Sequence, residues 1–199
     1  STTAANNGIS FSNASAASIT LSGVSVFVGT GGSLSGASST ATVNNGTLGF
    51  GGTVTTLKVV SIKDTKGTVA TTDDNSYLGL EATGLTADLI GLESVLVFHA
   101  GGVTVKVNKA TDGAGAASAK LDWDSLAATG TTGLPLAALA VDKDLDVHAD
   151  GTVALNALSG VLVAQGGFSL DLGQVSTVAA NNGISLVNAS AASITLSGV

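Results

Sequence analysis

Residues 1–24 and 176–199 are two copies of one sequence. They read STTAANNGISFSNASAASITLSGV and STVAANNGISLVNASAASITLSGV, identical at 21 of 24 aligned positions. Only Thr3/Val178, Phe11/Leu186 and Ser12/Val187 differ. Agreement of this length within one chain marks a tandem array. One full period of 175 residues spans 1–175, and 176–199 begins the next. Units of such an array bury their end faces against their neighbours. The fold must therefore be one that can be continued in the direction of the repeat.

Composition narrows the choice to β-structure. Gly (27 residues), Ser, Thr, Ala and Val dominate, with a single proline and 4% aromatic residues, the make-up of strands and tight turns. An apolar fraction of 44% is too high for disorder, yet no run reaches the roughly 18 apolar residues of a membrane helix. All seven cations are lysine and the net charge is −7, which argues against nucleic acid and anionic lipid as partners. With no cysteine, disulfides, thiolate metal sites and thiol catalysis are excluded. Acidity without arginine, cysteine or methionine fits a secreted bacterial surface protein.

Period-two alternation recurs along the chain between Asn-Gly, Asp-Gly and Gly-Gly punctuation, and it reads as strands of about five residues. Such segments are Ser18–Leu21, Val24–Val28, Thr40–Val43, Val54–Ile62, Tyr77–Ala82, Leu85–Ile90, Val95–Phe98 and Val103–Val107. The stretch 111–119 reads as a surface loop, and Leu134–Ala140, which holds the proline, as one helical turn. A weaker inner repeat begins at Leu21, Leu92 and Leu158, each with Val three and five residues on and Gly-Gly following. Poorer matches at Leu57 and Leu126 would divide the period into five sub-units of about 35 residues. The fold class expected is all-β: a β-solenoid-like or continuous stacked β-sheet fibre, with a string of β-sandwich repeats as the alternative. No polar linker recurs once per period, which favours the continuous forms.

The stretch Tyr77-Leu-Gly-Leu-Glu-Ala-Thr-Gly-Leu-Thr-Ala-Asp-Leu-Ile-Gly-Leu-Glu-Ser-Val95, running into Gly102-Val-Thr-Val-Lys-Val-Asn108, resembles repeats of giant bacterial tandem-repeat, adhesin-like surface proteins. Some of these carry an N-terminal LEPR-XLL motif. The resemblance covers about residues 77–175 and implies a secreted, extended, structural or adhesive protein with no catalytic residues to carry over.

The most chemical-looking segment is Val141–Gly151. As a strand it places Asp142, Asp144, Asp146, His148 and Asp150 on one face, and the four carboxylates are a candidate Ca²⁺ site. A straight strand spreads alternate residues about 7 Å apart, so a solvated acidic face is the competing reading. Leu121 and Trp123 are expected in the core, with Asp122 and Asp124 exposed; a sugar-stacking role for Trp123 with Tyr77 is the alternative. His99 and His148 have no evident partner. Asn13, Asn45 and Asn188 open Asn-x-Ser/Thr triplets of a kind that arises freely in such compositions.

Three functions follow. The first is a structural or adhesive segment of an extracellular filament, without catalysis, whose partners are neighbouring repeats joined head-to-tail. The second is a Ca²⁺-dependent module binding surface glycans or another partner. The third is a polysaccharide-acting β-helix enzyme. The array reading carries a geometric expectation: the two copies lie at opposite ends of the period, related by one rigid movement and with matching strand partners, whereas different partners, or a compact closed domain with its ends side by side, would argue against a continuous fibre. Ile9/Ile184, Ile19/Ile194 and Leu21/Leu196 are then expected to point inward, and Ser12/Val187 to face a tolerant surface.

Overall fold

The computed structural model describes residues 8–11, 14–129, 136–176 and 185–198. They form an all-β structure built on one open antiparallel sheet. The strands are β1 (Ala14–Thr30), β2 (Ser33–Ser35), β3 (Thr42–Asn44), β4 (Leu48–Asp64), β5 (Asn75–Ile90), β6 (Leu96–Asp112), β7 (Leu145–Ala157), β8 (Leu162–Val175) and β9 (Ala189–Ser197), with one helix, α1 (Trp123–Thr129), before β7. Seven strands run in the order β1-β4-β5-β6-β7-β8-β9, and β2 and β3 form a small separate hairpin.

This is a meander of long strands, not a stack of coils. Every ladder is antiparallel, and short turns at 91–95 and 158–161 return the chain directly beside itself in the β5·β6 and β7·β8 pairs. A solenoid coil needs corners and parallel ladders, and neither a coil nor a second facing sheet occurs among the described residues. The strands are also far longer than about five residues: β1, β4 and β6 each span 17. Segments that read as separate strands, such as Tyr77–Ala82 and Leu85–Ile90, are halves of one. Gly84 and Gly102 take φ of 64° and 60° inside their strands, and the register shifts beside them, at Ala82/Leu85 and Gly101/Thr104. They supply the positive φ of a bulge, not a turn.

The inner repeat does not survive as five units. Leu92 and Leu158 do occupy equivalent hairpin turns, with Val95 N–H donating to Leu92 C=O (2.8 Å) and Val161 N–H to Leu158 C=O (3.3 Å). Leu158 N–H donates in turn to Val95 C=O at 2.8 Å, so the two turns sit side by side. Leu21, by contrast, lies in the middle of β1. One period supplies six strands to the sheet, β1 and β4–β8, before β9 repeats β1.

The two sheet faces differ. One is covered at a single end by the described parts of the connection after β6, residues 113–129 and 136–144. Its Leu121, Trp123, Leu126, Leu139 and Val141 pack on Val60, Ile62, Tyr77 and Ala110, all nearly inaccessible to solvent. Ile9 and Phe11 close the edge of this core, Phe11 meeting Tyr77 edge-on at 5.7 Å. Of the segment 134–140 expected to form a helical turn, residues 136–140 have none and 134–135 lie outside the described residues, whereas 123–129 are helical. The helix starts with Leu126 N–H donating to Asp122 C=O at 3.0 Å. Asp124 lies in its first turn, where a negative charge suits the helix dipole.

The other face carries two unbroken apolar rows across all seven strands. The first is Leu21-Leu57-Ala82-Val105-Ala149-Leu170-Ile194 and the second is Ile19-Val59-Leu80-Val107-Val147-Leu172-Ala192. Nothing among the described residues covers this face. Ile19, Leu21, Ile194 and Leu196 therefore point outward, with 44–71% of their surface exposed, contrary to the inward placement expected of them. The chain's 11479 Å² of accessible surface exceeds by about 3,000 Å² what a compact monomer of its mass presents.

Candidate functional site

The acidic segment does not form one carboxylate face. β7 begins at Leu145, so Asp142 and Asp144 belong to the turn before it, where Asp144 N–H donates to Asp142 Oδ1 at 2.8 Å. Asp144 also pairs with Lys143. Asp146 accepts from the nearly buried Lys120 Nζ at 2.7 Å, and that ammonium also donates to Leu145 C=O at 2.8 Å. Asp150 pairs with His148. The four candidate metal ligands thus hold four different local contacts, and no group of three or more acidic or histidine side chains is arranged to hold a metal ion among the described residues.

Charge is instead organised across the strands. On the partly covered face one row reads Lys58-Glu81-Lys106-His148-Asp171-Ser193, so that neighbouring charges alternate in sign along most of it, as cross-strand pairing favours. Lys58 Nζ lies 3.4 Å from Glu81 Oε2 and donates to Ala138 C=O at 3.0 Å. Glu81 Oε2 accepts from Ala140 N–H at 3.3 Å, and Ser18 Oγ from Ala137 N–H at 2.9 Å. The near end of the row thereby ties the covering segment to β1, β4 and β5.

Each histidine has a partner on a neighbouring strand, Asp88 for His99 and Asp171 for His148, which alternation along one strand cannot reveal; the second partner of His148, Asp150, is two residues along its own strand. His99 Nδ1 lies 2.5 Å from Asp88. His148 is held at both ring nitrogens, Nδ1 2.6 Å from Asp171 and Nε2 2.8 Å from Asp150. Partial burial disfavours the charged ring, but the hydrogen bonds and Coulomb attraction of the two carboxylates outweigh it and raise the pKa. A raised folded-state pKa contributes stability that is fully present below the unfolded value and lost as pH rises through the folded one. His148 should therefore stabilise the sheet below about pH 6.5 and progressively less above it. In a His99→Gln background, His148→Gln should flatten the fall in melting temperature between about pH 6 and 8.5. An unchanged slope would contradict the cluster's role.

Leu121 and Trp123 are core, as expected, and Trp123 and Tyr77 are too deeply buried (2% and 3% exposed) to stack on a sugar. Asn45 and Asn188 are exposed, and Asn13 lies outside the described residues.

The remaining site is the pair of sheet edges. β1 and β9 are the two outermost strands, and residues 14–22 and 189–197 have the same sequence. Their partners differ: β1 pairs with β4 and β9 with β8. This departs from the expectation of matching partners, and the reason is that a strand within a sheet has two neighbours. The two copies run in the same direction, since five strands separate them in an antiparallel order. They also share a face, because the row from Ile19 arrives at Ala192 and that from Leu21 at Ile194. The bulge-type glycines that follow, Gly23 and Gly198, both have φ of 64°. The same strand is thus seen using one edge at β1 and its opposite edge at β9. No family model matches the chain, and neither a curated protein nor a solved structure matches it. Val187 is 76% exposed, in keeping with a tolerant surface, while Ser12 and Ile184 lie outside the described residues.

Proposed function

We propose that this chain is a structural segment of a tandem array on the outside of a bacterial cell, each period of 175 residues adding six strands to one continuous sheet. The observation that carries the reading is the placement of the duplicated strand on opposite edges, in the same direction and with the same face. At a repeat boundary a single such strand would then have β8 of one period on one side and β4 of the next on the other. Covering contacts agree with this: Ser18 is bonded by Ala137, while its counterpart Ser193 lies bare, awaiting the covering segment of a following period. The array bears load through backbone ladders that cross each boundary, and its reach is set by repeat number. Adhesion, where it occurs, gains avidity from the same repetition.

The test is a polypeptide of two periods plus the closing strand. Small-angle scattering should show one rigid body whose extent along the inter-strand direction grows by about 29 Å, six strands at about 4.8 Å each. Two compact bodies moving independently would refute the continuous sheet.

A further inference from the structure

The duplicated strand has a consequence for separate molecules. We propose that copies of this chain join edge to edge by strand exchange, β1 of one copy taking the seat of β9 on β8 of another. The proposal rests on the same duplication as the array reading, but it concerns association between molecules instead of continuity along one.

The seat is already drawn in the structure. Along β8, Val175 faces Ala189, Asp171 faces Ser193, Leu170 faces Ile194 and Phe168 faces Leu196. Their counterparts in β1 are Ala14, Ser18, Ile19 and Leu21. The edge of β1 turned away from β4 carries no strand among the described residues, so β1 can keep its own partner while offering this second edge. The exchange breaks nine β8·β9 residue pairs and remakes them with identical side chains. The ladder broken and the ladder made are therefore equivalent in pairing, and protein concentration drives the association. The joint is heterologous, one end of a molecule against the other end of the next, so it propagates as an open filament instead of closing as a dimer. Backbone ladders supply its affinity, and the apolar alternation of Ile19 and Leu21 against Leu170 and Phe168 fixes its register.

The absence of cysteine from the sequence makes the joint readable by cross-linking. The β8·β9 register, in which Ser169 faces Thr195, places Thr20 of one copy opposite Ser169 of another. Chains carrying Thr20→Cys alone and Ser169→Cys alone, mixed and oxidised, should yield a disulfide-linked heterodimer. Replacing Ser169→Cys by Leu170→Cys, a one-residue slip that puts the sulfur on the opposite face, should lower the yield by about tenfold. A single chain with both Ser169→Cys and Thr195→Cys should cross-link internally and report that β8 is folded and accessible. The unsubstituted chain should sediment with a mass that rises with concentration, and a peptide of residues 14–30 should cap β8 and suppress the rise. A strictly monomeric native chain, or equal yields from the two registers, would overturn the proposal. Failure here alongside a rigid two-period polypeptide removes only the exchange. Success here with two independent bodies in scattering removes only the array.

Discussion

Trp123→Ala should cost about 3–5 kcal/mol, the range for truncating a large buried aromatic. Among the described residues, 113–129 and 136–144 give this single-layer sheet its covered core, and Trp123 sits within it, 2% exposed. Its backbone N–H donates to Val141 C=O at 3.0 Å, so the start of α1 and the segment leading to β7 are fastened together over the sheet. Below the ring lies Gly79 of β5. A Cβ built there would come within 2.6 Å of both the indole and Leu139. The absent side chain at Gly79 is what lets the ring approach the sheet. Denaturant unfolding should show a lowered midpoint. A change of less than about 1 kcal/mol would mean that the covering segment contributes little to stability.

How much of this was legible in the sequence depends on whether the signal lies along the chain or across it. The duplication and the β-character were readable because both are patterns of sequence order. Leu121 and Trp123 as core residues were readable because apolar side chains alternating with aspartate leave little choice. That same alternation disguised α1, since Leu-Asp-Trp-Asp mimics a strand while the first turn of the helix buries Trp123 and Leu126 at helical spacing. Glycines inside long strands read as breaks because sequence alone does not separate a bulge from a turn; only the partner strand does. The solenoid expectation failed for a related reason. Alternation fixes that a residue faces in or out but not whether the next strand returns antiparallel beside it. The cross-strand row from Lys58 to Asp171, with the contacts of His148 to Asp171 and His99 to Asp88, brings together residues on different strands and exists only once register is set. The acidic run around Asp142 was misleading because its first members stop short of β7, in the turn that leads into it.

Asn108→Leu should be nearly as damaging as loss of the tryptophan, at about 3 kcal/mol, although it makes the site more apolar. Asn108 is 2% exposed on β6 and uses its whole side-chain amide. Nδ2 donates to Leu121 C=O and to Asp142 C=O, both at 2.8 Å, and Oδ1 accepts from Trp123 Nε1 at 3.0 Å. One amide therefore holds both ends of the covering segment and its central side chain on the sheet. Leucine has as many side-chain heavy atoms as asparagine and is the bulkier of the two, so cavity formation is a small part of the cost. The larger part comes from an indole N–H and two carbonyls stripped of a partner in a site that excludes water, each costing about 1–3 kcal/mol before relaxation. A double-mutant cycle separates the contributions. Trp123→Phe removes the indole donor while keeping an aromatic ring, so its cost should fall by about 1 kcal/mol or more when Asn108 is already leucine. Strict additivity of the two substitutions would show that Asn108 acts through packing alone and not as the clamp of the covering segment.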